Sequence, residues 1–182
     1  LNALFANRLI EGAYFFVCCG VLGLIAMVWA VRRATLKPPK AILEITSRLY
    51  DATTATGQPL TNGSMAKVLS LLPVNQMTKL AVTEKAFAMP TLASRLDGLT
   101  IAHLSDLHFT GKLTREYFDF VVDRTNELEA DLIVITGDIV DTDECIDWIP
   151  QTLGRLEARY GKLFILGNHD KRVSDVPLLR KT

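Results

Sequence analysis

The residue types able to do chemistry in this chain gather in three short clusters: Ser105-Asp106-Leu107-His108, Gly137-Asp138, and Gly167-Asn168-His169-Asp170. Asp106 and His108 are two apart, so at an extended strand end both side chains leave the backbone on the same side and can hold one cation together. Asp138 follows a glycine, and the two oxygens of one carboxylate can bridge a pair of metals about 3.5 to 4 Å apart. Asn168 offers a neutral amide oxygen, suited to a second cation whose site already carries negative charge. Oxygen and imidazole donors together suit Mn, Fe or Zn. Gly137 and Gly167 let the backbone turn where a side chain would obstruct the approach.

Such donors work only if the fold brings them together. Leu99 to Leu104, Asp131 to Thr136 and Lys162 to Leu166 are short apolar runs that read as strands. Helical periods lie between them, over Thr114 to Leu128 and Cys145 to Tyr160. Strands alternating with helices imply right-handed crossovers and a parallel sheet. Strands apolar on both faces imply a sheet covered by helices. Each cluster directly follows one of these strands, so all three fall on the carboxyl edge, where open α/β sheets form their ligand crevice. In the second helix, Asp143 and Glu144 read as capping and dipole residues.

Taken singly the clusters are ordinary turn sequences; their order and equal spacing carry the information. That conjunction resembles the calcineurin-like metallophosphoesterases, whose pattern runs D-x-H, G-D-x-x-D, G-N-H-[DE], a lone His, and G-H-x-H. The first three blocks stand here as Asp106/His108, Gly137-Asp138 with Asp141, and Gly167-Asn168-His169-Asp170. The run AMPTLASRLDGLTIAHLSDLHFTG also looks like the entry strand of membrane-anchored bacterial members. The resemblance implies an α/β fold, part of an α/β/β/α sandwich with a parallel βαβαβ core. It implies that Asp106 and His108 bind the first metal, that Asp138 bridges both, and that Asn168 binds the second. His169 would be the catalytic residue, a general acid or hydrogen-bond donor at the scissile group, with Asp170 orienting its ring and Asp141 stabilising the loop behind the ligands. Histidine occurs only at His103, His108 and His169, so the last two blocks are missing; an N-terminal fragment, inactive by itself, is expected. His103, on the first strand, reads as a core histidine or as support behind the ligands.

Ahead of this region, Ala13 to Val31 is nineteen residues without a charge, bounded by Glu11 and Arg32-Arg33. As a helix rising about 1.5 Å per residue it is long enough for a hydrocarbon core of about 30 Å. A buried core helix would carry some polar face, and the apolar part of a signal peptide is shorter. The expected organisation is a flank (1–12), a transmembrane helix (13–31), a juxtamembrane connector (32–78) and the N-terminal part of the phosphoesterase domain (79–182). Within the connector Pro38-Pro39 breaks the helix exit, 41–50 reads as an amphipathic helix and 51–64 as turns, while Lys79 to Phe87 reads as a strand. Arg32, Arg33, Lys37 and Lys40 favour a cytoplasmic placement of the C-terminal side, and the resemblance to bacterial members implies the inner membrane of a bacterium.

Lys plus Arg and Asp plus Glu number 20 each, so no basic field points to nucleic acid. The three cysteines have no spacing for a disulfide framework or zinc knuckle, and no phosphate-binding glycine motif follows a strand. The expected function is hydrolysis of a phosphoester or pyrophosphate bond by hydroxide activated between two divalent ions. The substrate class would be a phosphorylated small molecule or a lipid-like compound near the membrane. A membrane-anchored scaffold that keeps the fold without catalysis is the alternative.

Overall fold

The computed structural model describes residues 2–35, 41–70 and 75–173. Two compact units divide at residue 43. The first holds helix α1 (Asn2–Thr35), in which Glu11–Thr35 is long and apolar enough to cross a membrane. The side chains of this stretch lie open, including Phe16, Leu22, Met27 and Trp29. Apolar side chains on every side of a helix of this length suit a lipid phase. At its end the Arg33 guanidinium stacks 5.5 Å from the Trp29 ring centroid, an arrangement suited to an interface where one side is apolar and the other wet. Lys37, Pro38, Pro39 and Lys40 lie outside the described residues.

The second unit opens with β1 (Ile42–Asp51), α2 (Ala52–Thr56), α3 (Ser64–Ser70) and β2 (Lys79–Phe87). The strand expected at 79–87 is present, and it pairs with β1 in a two-stranded sheet. Residues 42–51 are therefore a strand and not the amphipathic helix that the sequence suggested. Their apolar side chains alternate (Leu43, Ile45, Leu49), which is the period of a strand. The stretch read as turns also holds one helical turn, α2, which Asp51 caps by accepting from the Thr54 N–H and Gly57 closes in the left-handed region.

The rest of the unit runs β3 (Ile101–Leu104), α4 (Arg115–Asn126), β4 (Leu132–Thr136), α5 (Trp148–Thr152), β5 (Lys162–Ile165). The three strands are parallel in the order β3-β4-β5, with Ala102 opposite Ile133 and Ile135 opposite Phe164. This is the mixed α/β arrangement with a parallel sheet that the sequence implied. One broken segment replaces the second expected helix: a 3-10 turn at Asp143–Cys145, the short α5, and another 3-10 turn at Leu153–Arg155. Pro150 cannot donate to a helical ladder and Gly154 weakens one, so a continuous helix over 145–160 is disfavoured. Asp143 and Glu144 sit in the first 3-10 turn.

The core lies on one face of the sheet. Ala102, Ile133 and Ile135 pack there with Phe118 and Val122 of α4, with Ile149 of α5, and with Phe109 and Val140 from the loops. Phe109 is fully buried, with its ring 4.1 Å from that of Phe118. The expectation of helices over both faces is not met among the described residues: Ile101, Leu163 and Ile165 remain exposed. A second, small cluster joins the N-terminal segment to α4 through Ala52, Leu60 and Phe120, with Tyr50, Leu80 and Tyr117 around them.

Candidate metal centre

Beyond Leu104 and Thr136 the two chains leave the sheet but keep their pairing. The Asp106 N–H donates to the Gly137 carbonyl at 3.2 Å and the His108 N–H to that of Asp138 at 2.9 Å, while Phe109 and Asp141 continue the exchange. This mutual support holds three non-glycine residues in the left-handed region, Asp106 (φ 53), His108 (φ 46) and Asp138 (φ 49). For residues with a Cβ such a conformation is costly and persists only where the surroundings over-determine it. Here it turns the Asp106, His108 and Asp138 side chains toward one another: donor atoms of all three lie within 4.8 Å.

The third cluster is fastened to the second. Asp170, fully buried, accepts from the backbone N–H groups of Ile139 (2.7 Å) and Val140 (2.9 Å) through Oδ1 and of Gly167 (2.8 Å) through Oδ2. The His169 N–H donates to Asp138 Oδ1 at 2.9 Å. Gly137 and Gly167 meet backbone to backbone: a Cβ on Gly137, itself at φ 83, would stand 2.6 Å from the Gly167 nitrogen. Both glycines are therefore required by close approach.

Asp141 faces two imidazoles. Its carboxylate lies 3.2 Å from His108 Nδ1 and 2.7 Å from His169 Nδ1, and the two rings meet edge to face at 4.9 Å. Burial pushes the Asp141 carboxyl up, but the hydrogen bonds and charge of His108 and His169 outweigh it and hold it below the usual range. An ionised carboxylate only accepts, so each Nδ1 donates to it, and in the neutral tautomer this leaves each Nε2 lone pair for a cation or substrate. His108 Nε2 points to Asp106, 3.9 Å away. A ligating histidine whose other nitrogen donates to a carboxylate is the usual support for a metal site. The donor set of two carboxylates and one imidazole, converging at this distance, fits a divalent cation of the Mn, Fe or Zn type. His108, Asp141 and His169 form a second convergent group, of two imidazoles and one carboxylate.

The sequence reading placed Asp170 behind His169; the structure places it elsewhere. Asp141 holds the His169 ring, and Asp170 ties two loops together through main-chain N–H groups. Three convergent backbone donors satisfy this buried carboxylate, a partnership that only the fold creates. Asn168 is exposed, and its amide makes no hydrogen bond among the described residues. It stands between Gly167 and His169, which both touch Asp138. The Ser105 hydroxyl donates to Asp106 Oδ2, a contact the sequence reading did not name. His103 is not a core residue: it is exposed, and its Nε2 lies 2.7 Å from the Thr136 hydroxyl.

Comparison with known proteins adds to this geometry. The family model described as calcineurin-like phosphoesterase matches residues 99–181. A bovine (Bos taurus) transmembrane protein with metallophosphoesterase domain is 30% identical over 169 residues, which is 91% of this chain and 37% of that protein. The uncharacterized metallophosphoesterase YkuE of Bacillus subtilis is 36% identical over 91 residues, 48% of this chain and 32% of its own. The UDP-2,3-diacylglucosamine pyrophosphatase LpxG of Chlamydia trachomatis is 31% identical over 115 residues, 61% and 35% respectively. The chain thus spans about a third of the length of these relatives. No solved structure matches it.

Proposed function

Over residues 99–181 the chain belongs to the calcineurin-like phosphoesterase family, and on that premise we propose that the intact protein hydrolyses a phosphoester or pyrophosphate bond with two divalent cations. The observation that carries the proposal is the convergence of Asp106, His108 and Asp138 donors within 4.8 Å at the carboxyl ends of adjacent parallel strands. Asp106 and His108 would hold one cation, Asp138 would be shared, and the exposed Asn168 amide, without a hydrogen bond among the described residues, would serve the other. The chemistry two such cations supply when bound is a water acidic enough to attack at neutral pH and neutralisation of the phosphoryl oxygens.

The chain's own residues do the rest. Asp141 keeps the Nδ1 proton on His108, so that Nε2 offers its lone pair to a cation beside Asp106. Asp141 does the same for His169, whose Nε2 is left to bond with a phosphoryl or leaving-group oxygen. Asp170 fixes the loop that presents Asn168 and His169 and takes no part in the chemistry.

Substrate class follows from the anchor and the relatives. A domain joined to a helix able to cross a bilayer meets lipid-like phosphates at high local concentration. One relative is a pyrophosphatase named for a diacylated sugar nucleotide. We accordingly place the substrate among phosphorylated or pyrophosphate-linked compounds at the membrane surface, with the catalytic unit on the cytoplasmic side.

The test is hydrolysis of an aryl phosphate and an aryl phosphodiester by the intact, membrane-reconstituted protein with added Mn²⁺. Activity is expected only with the metal, and Asp138→Asn is expected to abolish it. Turnover that survives both chelation and this substitution would refute the proposal.

A further inference from the structure

The loop that presents His108 is clasped from two sides. The 137–141 loop holds one side through the bonds described above. The other side is held by a segment far away in the chain and outside the family-matched region, Leu60–Asn62. Thr61 pairs with Leu113 in an isolated antiparallel bridge. The Asn62 N–H donates to the Lys112 carbonyl at 2.8 Å, the Thr114 N–H donates to the Leu60 carbonyl at 2.9 Å, and the Asn62 side-chain amide donates to the Gly111 carbonyl at 3.1 Å. Leu60 and Thr61 are buried, with Leu60 set into the cluster around Phe120, so this strap is anchored in a core while Asn62 itself lies at the surface.

We infer that Leu60–Asn62 is a positioning strap for the metal centre, with Asn62 the positioning residue that fixes the Phe109–Thr114 turn and through it His108. The inference rests on the metal reading of Asp106, His108 and Asp138. Between Leu104 and Arg115 the chain forms no regular element, so its course is set by these two sets of bonds. His108 needs the help because its left-handed backbone (φ 46) relaxes readily if the chain beyond Phe109 is released. Gly111 (φ 73) is a pivot at which such a release would occur. Leu60–Asn62, within the segment expected to be a connector, is thereby part of the active unit and not a passive tether.

The test uses the intact protein with Asn62→Ala, Asn62→Asp and Asn62→Gln, reading Mn²⁺ affinity by calorimetry, the visible spectrum of the Co²⁺ form, and the urea midpoint of the metal-free protein. Ala and Asp lack the amide donor, so each is expected to weaken Mn²⁺ binding by about threefold to tenfold and to shift the Co²⁺ bands, with the metal-free midpoint unchanged. Gln keeps a donor and is expected to retain most of the affinity. Unaltered affinity and spectrum in the Ala and Asp variants would overturn the inference, as would equal losses in Gln and Asp or a loss matched by lower metal-free stability. Wild-type protein that takes up no Mn²⁺ overturns the metal reading itself, and this inference with it.

Discussion

Gly167 lies directly against Asp138: a Cβ placed on Gly167 would stand 2.7 Å from Asp138 Cγ, and nearer still to Oδ1 and the backbone nitrogen. The most central carboxylate of the site is thus seated against a residue that has no side chain. Gly167→Ala should push the two loops apart and lower stability by about 1 to 3 kcal/mol, and it should remove Mn²⁺ binding that the wild type shows. Calorimetric titration and thermal unfolding of the same samples check both parts.

Asp170 is a fastener, and its replacement tests that role. Asp170→Asn turns an acceptor of three backbone N–H bonds into a group that must present N–H to N–H at one or more of them. Leaving buried donors unpaired costs about 1 to 3 kcal/mol each. Unfolding free energy should fall by at least about 2 kcal/mol, even without metal, and a denaturant titration of the metal-free protein measures it. Stability unchanged within error would show that Asp170 is not the tie described.

Asp141→Asn makes the opposite separation. The side chain is at the rim of the site, so the fold should survive, but neither imidazole keeps an anionic acceptor at Nδ1. Metal affinity should drop by roughly 10- to 100-fold, as for other carboxylates behind histidine ligands. The metal-free melting temperature should move little. A variant that binds Mn²⁺ as tightly as the wild type would remove Asp141 from the support of the centre.

Asp131 makes a pH-dependent tie between the starts of β3 and β4. It accepts from the Thr100 N–H (3.0 Å) and hydroxyl (3.1 Å), and these bonds, the backbone one foremost, hold its carboxyl below the usual range. A depressed native pKa means that the stabilisation is fully present above about pH 4, the unfolded value, and is lost as pH falls through the lower native value. The difference in stability between wild type and Asp131→Asn should therefore be largest near neutrality and shrink below pH 4. Urea titrations at pH 6 and pH 3 give the comparison.

The functional half of the chain was legible because its signals are local. DLIVIT and KLFIL are short, largely apolar runs that read as strands, and a polar cluster after each marks the edge where parallel strands end. The α/β class followed from those two facts, and the resemblance to the phosphoesterase family from the blocks Asp106/His108, Gly137-Asp138 with Asp141, and Gly167-Asn168-His169-Asp170. The parts that were misread depend on context. In residues 42–51 the apolar and polar positions alternate only in part, with Ile42-Leu43 and Leu49-Tyr50 adjacent, so the period alone is ambiguous and pairing with β2 decides it. Asp170 was assigned to its neighbour His169 because sequence adjacency suggests contact; two of its three partners, Ile139 and Val140, are about 30 residues away. The Leu60–Asn62 strap is farther still from Gly111, and no periodicity announces a bond between two irregular segments.

The left-handed backbones of Asp106, His108 and Asp138 have one more consequence, for reading substitutions at those positions. A β-branched replacement such as Val or Ile is refused by the main chain before any ligand is considered, so its loss of function says nothing about coordination. Asparagine visits that region readily and is nearly the size of aspartate. A saturation library at these three codons, scored for folding and for activity separately, should therefore show Asn and Gly folded but silent, with the branched residues missing from the folded fraction altogether.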